Sequence, residues 1–140
     1  MVSDLKLENE IGILLVEIYE EQKAVFHIMK TTIEKRFKAL INELNFAPVG
    51  QEEIGEFGFE FGPRLTKNGY FIGEVFIGDK INLTLFGDVD SGRPQTIQLE
   101  VKDFCNINKV YTSDNFSPDG ITILYEGFLT ALKSKLAKKN

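Results

Sequence analysis

The sequence contains few of the residues that build covalent or metal-dependent chemistry. Its 140 residues include one cysteine, one histidine and no tryptophan. The single cysteine, Cys105, excludes a disulfide within the chain. The single histidine, His27, excludes a histidine-rich zinc site, and any Ser-His-Asp or Cys-His unit would have to use it. We therefore expect no metal ion and no cofactor.

Long apolar runs are also missing. No stretch approaches the ~20 apolar residues that a helix needs to cross a bilayer, and residues 1–10 lack the basic and apolar segments of a signal peptide. A net charge of −5, with 43% apolar and 26% charged residues, is typical of a globular protein and disfavours nucleic-acid binding. We expect one cytoplasmic domain over residues 1–140, without membrane or nucleic-acid partners.

Short motifs with a known mechanism are absent as well. The chain has no GxGxxG, no P-loop and no GxSxG. Asp88 and Asp90 resemble the opening of a calcium loop, but Arg93 and Pro94 follow where further oxygen ligands are needed. We predict a hairpin loop with solvated acids at this position.

The dominant feature of the sequence is a helical pattern of great length, predicted over residues 3–45. Its apolar residues recur in one helical phase. They are Leu7, Ile11, Leu14, Leu15, Ile18, Val25, Phe26, Met29, Ile33, Phe37, Leu40 and Leu44. The part of this helix from Leu7 to Leu44 would by itself be about 55–60 Å long. A compact chain of this size is roughly 35–40 Å across. The helix therefore breaks near Gly12, overhangs its own domain, or lies against another molecule.

Two properties of this helix favour assembly. Ile13, Val16 and Ile28 lie off the main stripe, and a helix that is apolar on more than one side is buried on more than one side. The charge is −5 over residues 1–22 and +4 over residues 23–38. Two copies could therefore pair antiparallel, acidic half against basic half. The alternative is that the charges only form a solvated face.

Beyond Gly50 the apolar period changes from helical to two. Turn signals at Asn68-Gly69, Gly78-Asp79 and residues 90–94 separate four runs, which predicts an antiparallel meander. With two-residue turns, one face of this sheet is apolar and must be covered by a helix. The predicted inward residues are Phe57, Phe59, Phe61, Leu65, Ile72, Phe76, Ile81, Leu83, Leu85, Ile97, Leu99 and Val101.

The chain ends in a second predicted helix. A polar loop from Asn106 to Phe116 leads to Ser117-Pro118-Asp119, which has the residue types of a helix start. The apolar stripe that follows comprises Ile121, Leu124, Tyr125, Phe128, Leu129, Leu132 and Leu136. The predicted fold class is α+β: a long N-terminal helix, a four-stranded antiparallel β-meander and a C-terminal amphipathic helix.

Glu74 is the one catalytic candidate of the sequence. The predicted register places it on the apolar face, where burial would raise the pKa of its carboxyl and suit it to acid or base catalysis. The alternatives are a bulge at Gly73 that turns Glu74 to solvent, or a salt bridge from Glu74 to a residue such as Arg64. His27 lies on the polar side of the helix, and Cys105 has no activating partner nearby in sequence. We expect both to be ordinary structural residues.

No motif in the sequence identifies a function, so the functional hypothesis depends on the predicted surfaces. We expect a small non-enzymatic interaction or regulatory protein, of adaptor, chaperone-like or toxin-neutralising type, that forms a homodimer through the N-terminal helix. A small apolar-ligand-binding protein, with a pocket between the Phe-rich sheet and the helices, is the alternative. The predicted partner-binding residues, on the outer sheet face and the helix, are Phe71, Val75, Ile77, Phe86, Ile13, Val16 and Ile28.

Overall fold

The computed structural model contains two helices and five strands. Residues 2–45, 56–104, 106–114 and 117–139 are described, with helical side chains described for residues 10, 12–36, 38–39 and 118–134. The elements are α1 (Val2–Asn45), β1 (Phe57–Thr66), β2 (Gly69–Ile77), β3 (Ile81–Gly87), β4 (Pro94–Phe104), β5 (Ile107–Ser113) and α2 (Pro118–Lys139). The predicted α+β class is confirmed. In chain order, one helix precedes the antiparallel sheet and another follows it.

The sheet has five strands in the order β1-β2-β3-β4-β5, so the predicted number of four was wrong. The additional strand, β5, occupies most of the segment predicted as a polar loop. Asp103, in the irregular end of β4, and Asn106, in the turn before β5, adopt positive φ angles of 50° and 63°, which aspartate and asparagine tolerate better than most residues. The Asp103 amide also donates to the side-chain oxygen of Asn108 at 2.9 Å. β5 is an edge strand with most of its residues exposed. Its many polar residues hide the alternation of apolar and polar side chains that would have marked it as a strand in the sequence.

The register of β2 differs from the prediction by one residue. The turn after β2 contains three residues, 78–80, so that Ile77 pairs with Ile81 and Val75 pairs with Leu83. A one-residue change reverses the two faces of a strand. Val75 and Ile77 are therefore buried in the core, and their predicted position on the outer face was wrong.

The core lies between the inner face of the sheet and the two helices. α1 packs on β1 and β2, and α2 packs on β4 and β5. Predicted inward residues of β3 and β4 are buried as expected, whereas Leu65 is 69% exposed and Phe76 lies on the outer face with Asn82. The largest fully buried side chains are Met29, Ile72, Leu83, Leu85, Ile97, Leu99, Phe104, Ile121, Phe128 and Leu132.

Helix α1 is continuous through Gly12, so the alternative of a break near this residue was wrong. Its 44 residues span about 65 Å at 1.5 Å per residue. None of its described side chains from residue 10 to residue 20 is buried, and Gln22 is the first that is. The extra length is thus an N-terminal overhang, a name used below for residues 10–20. The predicted stripe residues Leu7, Ile11, Phe37, Leu40 and Leu44, and Leu136 of α2, lie outside the described side chains.

Among the described residues, neither helix combines the length and apolar character needed to cross a bilayer. Cys105 lies outside the described residues.

Candidate interaction surfaces

The overhang carries the largest run of exposed apolar side chains on the described helices. Ile13, Leu15 and Val16 are each 61% exposed, and Leu14 is 46% exposed. Successive residues of a helix are rotated by about 100°, so these four side chains surround the helix axis. A helix that is apolar on every side is normally enclosed by protein. One copy of the chain encloses only part of this segment.

The base of the overhang is fixed to the sheet by three side chains of α1. Tyr19 packs against Phe61 with 5.6 Å between the ring centroids. Glu21 forms an ion pair with Arg93. Gln22, only 2% exposed, donates a hydrogen bond to a backbone carbonyl of the β3–β4 turn. An apolar depression of about 390 Å³ opens beside this base, and its lining includes Leu15, Ile18, Tyr19, Pro63, Tyr70 and Val89.

A second exposed strip follows α1 on the side away from the sheet. Glu17, Ala24 and Lys35 are all exposed, as is Ile28 at 39%. Their spacings of seven, four and seven residues place them on one side of the helix. Of the predicted partner-binding residues on α1, Ile28 belongs to this strip, Ile13 lies at its N-terminal end, and Val16 flanks it.

An open groove runs between α1 and the edge strand β1, and we call it the α1–β1 groove. Its volume is about 490 Å³. The rings of Phe26 and Phe61 are 5.2 Å apart, and the Lys30 ammonium nitrogen lies 3.7 Å from the centre of the Phe59 ring. The remaining lining residues are Glu20, Lys23, Ala24 and His27. Sequence reasoning missed this site, because its two halves lie about thirty residues apart and share no local pattern.

The outer face of the sheet is more polar than predicted. Phe71 and Phe86 pair across β2 and β3 on this face, but Phe71 is buried beneath the Arg64 guanidinium, 4.4 Å from the ring centre. Only these two of the four predicted outer-face residues therefore lie there. A shallow concavity of about 510 Å³ follows the same face and is lined mainly by polar residues, among them Asn68, Asn82, Thr84, Gln95, Gln98 and Glu100.

Glu74 also lies on the outer face, not on the apolar face where the sequence placed it. Its carboxylate accepts a hydrogen bond from Asn82 at 3.0 Å, and Asn82 in turn accepts one from Thr84 at 3.0 Å. The cause is the same one-residue difference in the register of β2 that buries Val75. The buried environment that would have supported acid or base catalysis is therefore missing.

Three further titratable groups have described environments. His27 is exposed on α1. A hydrogen bond from the Ser91 hydroxyl lowers the pKa of Asp88 below its usual value, and burial raises the pKa of the Tyr111 hydroxyl. No three His, Cys, Asp or Glu side chains within the described part of the chain are grouped so that they could hold a metal ion.

Comparisons of the chain with protein-family models, curated proteins and solved structures find no match.

Proposed function

We propose that this protein is a homodimeric protein-interaction module that assembles through α1. The observation that carries the proposal is the run from Ile13 to Val16, four exposed apolar side chains around an overhanging helix. A folded domain rarely leaves such a run in water unless the run has a binding role. The charge of the same helix favours a second copy of the chain as the occupant.

Charge along α1 makes the helix complementary to itself. Residues 10–22 contain four acids and no base, whereas residues 23–38 contain five bases and one acid. A parallel pair would place like charges together, and an antiparallel pair places each acidic half beside a basic half. Such a pair has two-fold symmetry, the commonest symmetry of protein dimers.

The exposed strip on α1 gives this pairing a register. When Glu17 lies beside Lys35 of the second copy, Ala24 lies beside Ile28 of that copy, and the reverse contact repeats by symmetry. The small side chain of Ala24 leaves room for the larger Ile28. The same register brings Ile13 to the exposed Ala39 of the second copy. The centre of the interface is then apolar and its flanks are ion pairs.

The role that follows is one of binding other proteins. A dimer presents each remaining surface twice, which raises the effective concentration for a partner with two matching sites. An adaptor, chaperone-like or toxin-neutralising role in the cytoplasm is part of this proposal. Binding of a small apolar ligand between the sheet and the helices has less support, because Ile72, Leu99 and Phe128 are completely buried there by packing.

Sedimentation equilibrium of the full chain over about 1–200 µM tests the proposal. We expect twice the mass of one chain at the upper end of this range. The double variant Ile13→Lys, Val16→Lys should be monomeric, because it replaces apolar side chains with lysines that face the basic half of the second copy. Both residues are exposed in one copy, so the change should leave the fold intact. Circular dichroism checks this.

The matched control is Ile123→Lys on α2. Ile123 is 63% exposed, close to the value for Ile13, and it belongs to α2, which takes no part in the proposed contact. We expect this variant to remain a dimer. A wild-type chain that is monomeric over the whole range would overturn the proposal, and a double variant that still dimerises would overturn the assigned interface.

A further inference from the structure

Within the described part of the chain, β1 is an edge strand that pairs with β2 alone. The Gly78 amide donates to the Glu56 carbonyl at 2.8 Å, which fixes the hydrogen-bonding phase of the pair. Bonded and non-bonded residue pairs alternate along antiparallel strands. The backbone N–H and C=O groups of Phe57, Phe59 and Phe61 therefore point away from β2, toward the free edge.

The side chains beside this edge form the α1–β1 groove. Phe59 is 51% exposed although it lies on the helix side of the sheet, and it faces Phe26 with 6.4 Å between the ring centroids. Lys23 and Lys30 border the aromatic floor. A row of free backbone groups next to an apolar floor is the arrangement in which an added strand gains both hydrogen bonds and side-chain contacts.

We propose that β1 and the α1–β1 groove bind an extended, acidic peptide segment of a partner protein as a sixth strand of the sheet. The backbone of the segment pairs with Phe57, Phe59 and Phe61. Its alternate side chains then lie on the helix side. Apolar groups among these contact the rings of Phe59 and Phe61, and carboxylates on the same side reach Lys23 and Lys30.

The acidic character of the peptide follows from the charge at the rim. Lys30 already contacts the Phe59 ring through its cation, and two lysines face a single acid, Glu20, around the groove. An ammonium group that lies over a ring keeps N–H donors for a carboxylate. The open shape also favours a peptide over a small ligand, because small-molecule sites enclose most of the ligand surface.

The site belongs to the proposed interaction module but does not require the α1 dimer. The exposed strip on α1 meets the groove at Ala24, which belongs to both. The other residues of the strip, Glu17, Ile28 and Lys35, do not line the groove. Experiments in the monomeric Ile13→Lys, Val16→Lys background, in which no second copy covers Ala24, therefore separate the two proposals. Peptide binding should persist in that background.

The probe is a fluorescein-labelled peptide of about ten residues, the length of a long natural strand. Every second residue is threonine, and the positions between them alternate valine and glutamate, so that both residue types lie on the helix side. Its matched control peptide replaces glutamate with lysine. Fluorescence polarisation should show binding of the acidic peptide only. Amide hydrogen exchange by NMR gives the decisive measurement: the amides of Phe57, Phe59 and Phe61 should become protected. Those of Gly58 and Glu60 already bond to β2 and should change little.

Variants locate the site. Lys30→Glu should weaken binding of the acidic peptide by about tenfold and strengthen binding of the lysine peptide. The control is Lys109→Glu, because Lys109 lies 4.9 Å from the Tyr111 ring on the opposite edge strand, β5. That variant should bind as wild type does. Phe59→Ala should weaken binding, and Leu65→Ala, a change at a more exposed site on the same strand, should not.

Two results would overturn the proposal. One is peptide binding without alternating protection of the β1 amides, which would remove the added strand. The other is saturable binding of dodecanoate that perturbs Phe59, with no peptide binding, which would make the groove a site for small apolar anions. Loss of dimerisation alone, with peptide binding retained, would overturn only the proposed pairing of α1.

Discussion

The buried side-chain amide of Gln22 donates a hydrogen bond to the carbonyl oxygen of Gly92, seventy positions later in the chain. Gly92 is itself buried and has a φ of 73°, so its carbonyl has little access to water. This bond joins the first buried turn of α1 to the β3–β4 turn. It explains why a polar residue lies within the apolar stripe of the helix, between Ile18 and Val25.

Replacing Gln22 with leucine should destabilise the fold. The variant keeps a side chain of similar size but leaves the Gly92 carbonyl buried without its donor, at a cost of about 1–3 kcal/mol. Urea unfolding at one fixed protein concentration measures the loss as a lower midpoint with an unchanged slope. Gln95→Leu, at an exposed position of β4, is the control and should leave the midpoint unchanged. Equal midpoints for all three proteins would contradict the assigned role of the bond.

Alanine substitutions at two glycines should have opposite effects. A Cβ at Gly73 would lie 2.7 Å from the Phe26 ring and 2.9 Å from the Glu60 carbonyl oxygen, so Gly73→Ala should cost about 1–3 kcal/mol. A Cβ at Gly12 has no described atom within 4 Å, and Gly12→Ala should stabilise α1 by about 0.5–1 kcal/mol. The measurement is thermal and urea unfolding. A stable Gly73→Ala variant would show that Phe26 does not pack against β2 as described.

The β3–β4 turn should respond to acid through Asp88. Its carboxylate accepts hydrogen bonds from the Ser91 hydroxyl at 2.9 Å and from the Ser91 amide at 3.3 Å. These bonds lower the pKa of Asp88, so their stabilisation is present above the usual aspartate pKa and is lost as the pH falls through the lowered value. Ser91→Ala should raise the pKa of Asp88 toward normal, as read by NMR titration of its carboxyl carbon. An unchanged pKa would contradict the bond.

Apart from β5, the element types were predictable because local patterns determine them, but the faces of the sheet were not. The Asn68-Gly69 signal predicts the β1–β2 hairpin, which forms one residue earlier, with Thr66 paired to Gly69. Gly78 has a φ of 59° and suits turns of two or three residues. Nothing local to the sequence chooses between them, yet the third turn residue moves Val75 and Ile77 into the core and Glu74 out of it.

Of the two interaction surfaces, the overhang could be foreseen from the sequence and the α1–β1 groove could not. The overhang was one of three alternatives for the long helix, and it follows from the length of α1 together with continuity at Gly12, where an exposed glycine weakens a helix only by about 1 kcal/mol. The α1–β1 groove depends on where Phe26 meets Phe59. That contact is set by the register of β1 and the angle of α1 across the sheet, and neither is encoded in a short window of sequence.

Charge reversals should test the antiparallel register of the proposed dimer. Glu17 and Lys35 are both exposed and lie 18 residues apart on one helix, about 27 Å, too far to interact within one copy. In the proposed register each lies beside the other residue of the second copy. Glu17→Lys should weaken the dimer by about tenfold or more, because the unfavourable contact occurs twice. Lys35→Glu should do the same, and the double variant should recover most of the affinity.

The salt dependence of these proteins separates pairing from general charge effects. Raising the NaCl concentration from about 0.1 M to about 0.5 M screens exposed charges, so it should weaken the wild-type dimer and relieve the single variants. Glu126→Lys, an exposed charge change on α2, is the control for the altered net charge. Sedimentation equilibrium gives the dissociation constants. If the two single variants weaken the dimer and the double variant weakens it further, Glu17 and Lys35 do not meet, and the helices pair in another register.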